Sequence, residues 1–240
     1  MIKPLFALAL LAAPVAASAA VPARVTTDDK DLSAVYVAMN DAPGVAKDVY
    51  DLITARKIAV SFAYMTPPFA GGPAPRSFSF ETGGSTEIMI NEEVPAEPQA
   101  VAPLLAREVA PLLLADMPEC AEKSYMRRSY EVRAWREMGG SPAGLPVIEA
   151  KTGWSDQPLA DAFKLWLDND AQTAVDKIGA AAGTKTIYDQ TVELNEQVKT
   201  MPPASRAYAE AQGALKKLAA ADVRFVKFVL AEKDWRAAHP

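Results

Sequence analysis

The chain has 240 residues, half of them apolar, which is enough to bury one sizeable core or two small ones. Its net charge is −5 and it contains no basic run, so neither nucleic acid nor an anionic membrane surface is expected as a partner. Cys120 is the only cysteine, which excludes an intramolecular disulfide. We expect it to be a small, partly buried apolar residue, because the only histidine is His239 and no imidazole can activate the thiol.

The first twenty residues are typical of an export signal. Lys3 supplies the positive start, residues 5–15 the apolar stretch, and Ala17-Ser18-Ala19 the small-residue cleavage site. This stretch is too short to span a membrane, and no later segment is long and apolar enough. We therefore predict a signal peptide over residues 1–20, cleaved near Ala19 or Ala20, and a periplasmic or secreted protein with no membrane span.

Two helices and three short strands are predicted for the first hundred residues, after a lead-in over residues 21–28. A break at residues 40–44, which includes Pro43-Gly44, separates the helices, which cover residues 29–39 and 45–56. Alternation of small or polar residues with large apolar ones predicts strands, at residues 58–64, 77–80 and 87–91. Residues 66–76, rich in proline and glycine, predict a loop, and Thr82-Gly83-Gly84-Ser85 predicts a turn.

Two further helices follow. The first begins at Glu97 or Pro98, with one apolar face at helical spacing, formed by Val101, Leu104, Leu105, Val109 and Leu112. Glu108 lies on that same face. The second runs from Glu119 or Cys120 to Met138, where Gly139-Gly140 ends it, and residues 141–152 form a loop.

Everything after Trp154 is predicted to be helical. One helix carries an apolar side formed by Leu159, Phe163, Trp166 and Leu167. Another covers residues 186–199, and a long last helix reaches about Trp235. The predicted class is α+β and mainly helical, with a small antiparallel sheet. We expect one module over residues 21–153 and a helical C-terminal extension over residues 154–240.

Residues 104–111 contain a degenerate form of a zinc-binding motif. Catalytic zinc on a helix uses His-Glu-x-x-His, two imidazoles one turn apart with a glutamate base between them. Here Arg107 and Pro111 occupy the histidine positions, and only Glu108 remains. The order of helix, strand, loop, edge strand and this helix resembles the zincin metallopeptidases. Glu131 resembles the third zinc ligand that the gluzincin branch takes from its following helix.

The resemblance implies a small sheet beside a zincin-like active-site helix, with Glu108 in the place of the general base. Arginine stays protonated and proline has no donor, so neither replacement can bind zinc. We therefore expect no metal, no cofactor and no hydrolysis through the vestigial site, which comprises Arg107, Glu108, Pro111 and Glu131. Pro111 should also kink or break the helix near Ala110.

Two adjacent buried carboxylates would repel each other strongly. We hypothesise that Arg107 lies between Glu108 and Glu131 and satisfies both by paired hydrogen bonds. Arg133 or Arg127 could serve in its place. The alternative is that the two glutamates never meet.

The favoured function is that of a non-catalytic metallopeptidase homologue, although whether it is an enzyme stays open. Its former cleft would bind an extended peptide, or a protein partner, by strand addition. One alternative is a carboxylate-dependent glycoside hydrolase of cell-wall sugar, with Glu108 as acid and Glu92-Glu93 beside the cleft. The other is a helical structural or interaction protein whose C-terminal helices bind a partner and whose cleft is irrelevant.

Overall fold

The computed structural model describes residues 24–27, 31–65, 76–141 and 171–238. The predicted signal peptide, most of the loop at residues 66–76 and the predicted helix around Phe163 lie outside these residues. So does the expected boundary between residues 153 and 154.

Seven helices and four strands occur in the described residues. The strands are β1 (Arg24–Thr27), β2 (Ala59–Met65), β3 (Ser77–Thr82) and β4 (Ser85–Asn91). The helices are α1 (Ser33–Asp41), α2 (Val45–Arg56), α3 (Pro98–Leu113), α4 (Ala121–Glu137), α5 (Ala171–Ala182), α6 (Ile187–Thr200) and α7 (Arg206–Ala238). The predicted α+β, mainly helical class is confirmed. Of these helices, none is both long and apolar enough to span a membrane.

The sheet is mixed, whereas the sequence had predicted an antiparallel one. Its strand order is β1-β2-β4-β3, and β2 pairs with β4 in parallel. The β3–β4 hairpin turns through Gly83 and Gly84, whose φ angles of 60° and 85° fit a two-residue turn. Because β4 lies next to β2, the hairpin places β3 at the edge of the sheet. Alternation within each strand carries no information on which strands become neighbours.

The start of the described chain also differs from expectation. Residues 24–27, predicted as part of a lead-in, form β1, which pairs antiparallel with β2. Four residues are too few for a recognisable alternation. Helix α1 begins at Ser33 rather than near Asp29, and the Asp31 carboxylate accepts a hydrogen bond of 2.8 Å from the Ser33 N–H. An aspartate that binds the backbone two residues ahead favours a turn over helix.

Two hydrophobic clusters share α4. One joins the helix-facing side of the sheet, including Phe62 and Ile90, to α1, α2, α3 and the Trp135 side chain of α4. The other joins Tyr125 and Met126 of α4 to the C-terminal helices, through residues that include Val175, Ile187, Leu218 and Phe225. The C-terminal helices therefore cover apolar surface of α4, and removing them would expose it to water.

Carboxylates of α4 bind the N-termini of two other helices. The two oxygens of Glu137 accept hydrogen bonds from the N–H groups of Val45 and Ala46, at 3.0 and 2.8 Å. Both oxygens of Glu122 lie 3.0 Å from the N–H of Ile187, the first residue of α6. Free N–H groups and the helix dipole make a helix N-terminus favourable for a negative charge. Helix α2 thus obtains its cap from α4.

We predict that Glu137→Ala lowers the free energy of unfolding by about 2 kcal/mol or more, since two helix N–H groups lose a buried acceptor. Urea denaturation measures the effect. Glu196→Ala on α6 is the control, because the Glu196 side chain is 66% exposed and its loss should cost less than about 0.5 kcal/mol. Equal stability of the two variants would contradict the capping role of Glu137.

Candidate functional site

Helix α3 runs without interruption through the degenerate motif. Of the predicted kink or break near Ala110, the break is wrong, because α3 contains both Pro103 and Pro111 and continues to Leu113. Pro111 removes a single N–H donor, and the N–H of Leu114 still donates to the carbonyl of Ala110 at 3.0 Å. Arg107 and Glu108 therefore lie within a continuous helix.

Glu108 is held by the edge strand. The hydroxyl of Ser77, at the start of β3, donates a hydrogen bond of 2.7 Å to Glu108 Oε1. Ser77 lies opposite Ile90 in the hairpin, which places its side chain on the sheet face that packs against the helices. Sequence reasoning did not identify Ser77. The hairpin register could have placed it on this face, but not against Glu108.

Arg107 lies beside Glu131 of α4. Its Nε is 4.0 Å from Glu131 Oε1, which is an ion pair longer than a hydrogen bond. The hypothesised alternatives are engaged elsewhere: Arg133 lies 3.8 Å from Glu137, and Arg127 lies 3.4 Å from Glu119. The structure thus brings Arg107, Glu108 and Glu131 together, whereas Pro111 contributes only backbone.

Burial raises the pKa of Glu131 to about 8. The guanidinium groups of Arg107 and Arg128 lower this pKa, and the carboxylate of Glu108 raises it further. The Arg107 side chain is 33% exposed, so water weakens its attraction for the Glu131 carboxylate. The Glu131 side chain is only 12% exposed, so water does little to stabilise its charged form. Arg128, which sequence reasoning missed, precedes Glu131 by three residues on α4 and so lies on the same side of the helix.

This arrangement does not fit a zinc ion. Arg107 and Pro111 offer no ligand, and Glu108 is bonded to Ser77. In the part of the chain that the structure describes, no group of three or more His, Cys, Asp or Glu side chains could hold a metal. What the site does offer is a buried carboxyl group with a raised pKa, near a second glutamate and beside a partly exposed guanidinium.

Two other candidates have structural roles. Cys120 is buried and its sulfur accepts from the Lys123 N–H at 3.4 Å, which caps α4. Burial raises the pKa of this thiol to about 11, so it stays protonated and unreactive at neutral pH. Glu93 forms a 2.8 Å ion pair with Arg76 and is 61% exposed.

Phe78, Phe80 and Trp235 pack against apolar clusters. Phe78 and Phe80 stack at 5.4 Å between ring centroids and contact the small cluster on the other face of the sheet. Trp235 packs against the first cluster under the Arg133 guanidinium, 5.4 Å from its ring centroid. Trp154 and Trp166 lie outside the described residues.

Comparison with known proteins adds no relative. No family model, curated protein or solved structure matches this chain. The site must be interpreted from its own geometry.

We predict that stability falls as pH rises from about 4.5 to 8, because folded Glu131 keeps a proton that the unfolded chain has already lost. Glu131→Gln, which mimics the protonated form, should match the wild type at pH 4.5 and exceed it at pH 9. The difference should grow by at most about 1.4 kcal/mol per pH unit. Urea denaturation across this range measures it.

Glu196→Gln is the control, since its exposed carboxylate should leave the pH profile parallel to that of the wild type. A Glu131→Gln profile that also runs parallel to the wild type would show that Glu131 titrates normally.

Proposed function

We propose that this chain is an exported, non-catalytic relative of the zincin metallopeptidases that binds an extended peptide along β3. The observation that carries the proposal is the position of β3. Among the described strands it has one neighbour, β4, and it lies at the end of the sheet. An edge strand presents unpaired backbone groups, which an extended peptide can use as an additional strand.

The hairpin register identifies which backbone groups of β3 face outward. In a two-residue hairpin, Thr82 and Ser85 form a hydrogen-bonded pair, and such pairs recur at every second residue. The N–H of Asn91 donates to the carbonyl of Arg76 at 2.8 Å, which fits this alternation. The outward N–H and C=O groups therefore belong to Ser77, Ser79 and Glu81.

The side chains near this edge favour binding without cleavage. Ser77 donates to Glu108, and Arg107 pairs with Glu131. A serine nucleophile needs a base such as histidine, and the only histidine of the chain is His239, near its C-terminus. A partly exposed arginine and two carboxyl groups can instead recognise polar groups of a bound peptide.

We predict that Ser79→Pro abolishes peptide binding, whereas Ser79→Ala does not. Proline removes the outward N–H of residue 79 but no hydrogen bond to β4, and proline is tolerated on edge strands. Alanine keeps the N–H and changes only the side chain. Binders selected from a peptide array would be titrated against both variants by fluorescence polarisation, and thermal melting would verify that both fold.

Peptides that bind Ser79→Pro as tightly as the wild type would place the binding surface elsewhere. An array without any binder would contradict the proposal altogether.

A second candidate, carboxylate-dependent cleavage of a cell-wall glycosidic bond, is favoured by the raised pKa of Glu131. A carboxyl group that is protonated at neutral pH beside a second carboxylate is the pair that glycosidases use. In this candidate Glu131 replaces Glu108 as the acid.

This candidate predicts that Glu108→Gln and Glu131→Gln each lower lysis of peptidoglycan by about a hundredfold or more. Dye-release from labelled cell walls measures it, with Glu196→Gln as the control, because this exposed carboxylate of α6 lies outside the site. Lysis that is absent from the wild type, or unchanged in both variants, would remove the candidate.

A further inference from the structure

A second concave surface lies among the C-terminal helices, away from β3. It is a groove of about 330 Å³ with walls from α4, α5, α6 and α7, a volume within the range of small-molecule sites. The apolar part of its lining comprises Ile187, Leu215, Leu218, Ala219 and Phe225. The ring of Tyr188 lines the groove and is 75% exposed.

Most polar side chains in the groove are already satisfied. Glu122 accepts the N–H of Ile187 with both oxygens. The Thr191 hydroxyl donates to the carbonyl of Ile187 at 2.7 Å, and the Gln172 amide donates to Asp176 at 2.9 Å. These groups shape the groove but have few hydrogen bonds left for a ligand.

Asp222 is the exception. Within the described ranges, neither its carboxylate nor the hydroxyl of Tyr188 has a hydrogen-bond or ion-pair partner. Of the described residues that line the groove, the charged ones are Glu122 and Asp222, both acidic, and none is a lysine or arginine. The described part of the groove therefore combines apolar walls, an exposed aromatic ring and one exposed carboxylate.

We propose that this groove binds an amphiphilic organic cation. The apolar part of the ligand lies against Leu215, Leu218 and Phe225, which removes apolar surface from water. The cationic group lies at the Asp222 carboxylate and against the face of Tyr188, since both attract a positive charge.

The apolar surface of α7 extends beyond the groove. Ala219, Val223, Val226 and Leu230 recur at intervals of four, three and four residues, which places them on one face of the helix. Val223, Val226 and Leu230 are 55%, 49% and 57% exposed. An alkyl chain longer than the groove would therefore find further apolar contact along α7.

The test uses octyltrimethylammonium as the cationic probe and octanoate as an anion with a similar chain, each titrated into the full mature protein by calorimetry. We expect saturable binding of the cation and at least about fivefold weaker binding of octanoate. Asp222→Asn should weaken binding of the cation about fivefold, the effect of losing one largely exposed charge pair. Asp234→Asn, an exposed carboxylate of α7 outside the groove lining, should bind as the wild type does.

Ala219→Phe provides a second variant, because residue 219 is exposed and lines the groove, so a larger side chain fills it without entering the core. It should abolish binding of the cation while the protein melts normally. Each of these results would overturn the proposal: no saturable binding, equal binding of octanoate, or an Asp222→Asn variant that binds as tightly as the wild type. A cationic helical peptide that binds where the small probe does not would indicate a protein partner instead, and would also overturn it.

Discussion

The fold depends on the hydrogen bonds that α4 makes to the N-termini of α2 and α6. Glu137 and Glu122 supply these bonds from opposite ends of α4. Both hydrophobic clusters also include α4, so it positions the sheet with its helices on one side and the C-terminal helices on the other. The edge strand and the groove of α6 and α7 are consequently fixed relative to one helix.

Two buried carboxyl groups of α4 have raised pKa values, and different neighbours oppose the rise in each. Burial raises the pKa of both Glu131 and Glu137. For Glu137, the N–H groups of Val45 and Ala46 and the guanidinium of Arg133 oppose this rise. Glu131 has guanidinium groups nearby, but its contact with Arg107 is 4.0 Å long and Arg107 is partly hydrated. The pKa of Glu131 is raised to about 8. A buried N–H group that donates a hydrogen bond stabilises a carboxylate more than a guanidinium whose charge is screened by water.

The local sequence pattern predicted most helices and strands, but few of the side-chain contacts at the candidate site. Helix α2 has the predicted bounds, because Pro43-Gly44 marks its start within the local sequence and no distant contact is needed to recognise it. The parallel pairing of β2 with β4, the contact between Ser77 and Glu108 and the influence of Arg128 depend on tertiary packing. Pro111 misled the helix prediction, because a proline near the last turn costs one hydrogen bond and α3 is held by its buried face.

The cap of α2 has a consequence for the order in which the chain acquires structure. Gly44 has no side chain, and a Cβ there would overlap with Glu137 Oε1. The space beside Gly44 is therefore filled by the carboxylate that caps the helix, 92 residues after Val45. The cap of α6 by Glu122 spans 65 residues. Long-range contacts form late, because the loop between them must close first. A nascent chain that ends before residue 137 lacks the carboxylate that accepts from Val45 and Ala46, so its α2 is less stable than in the complete fold.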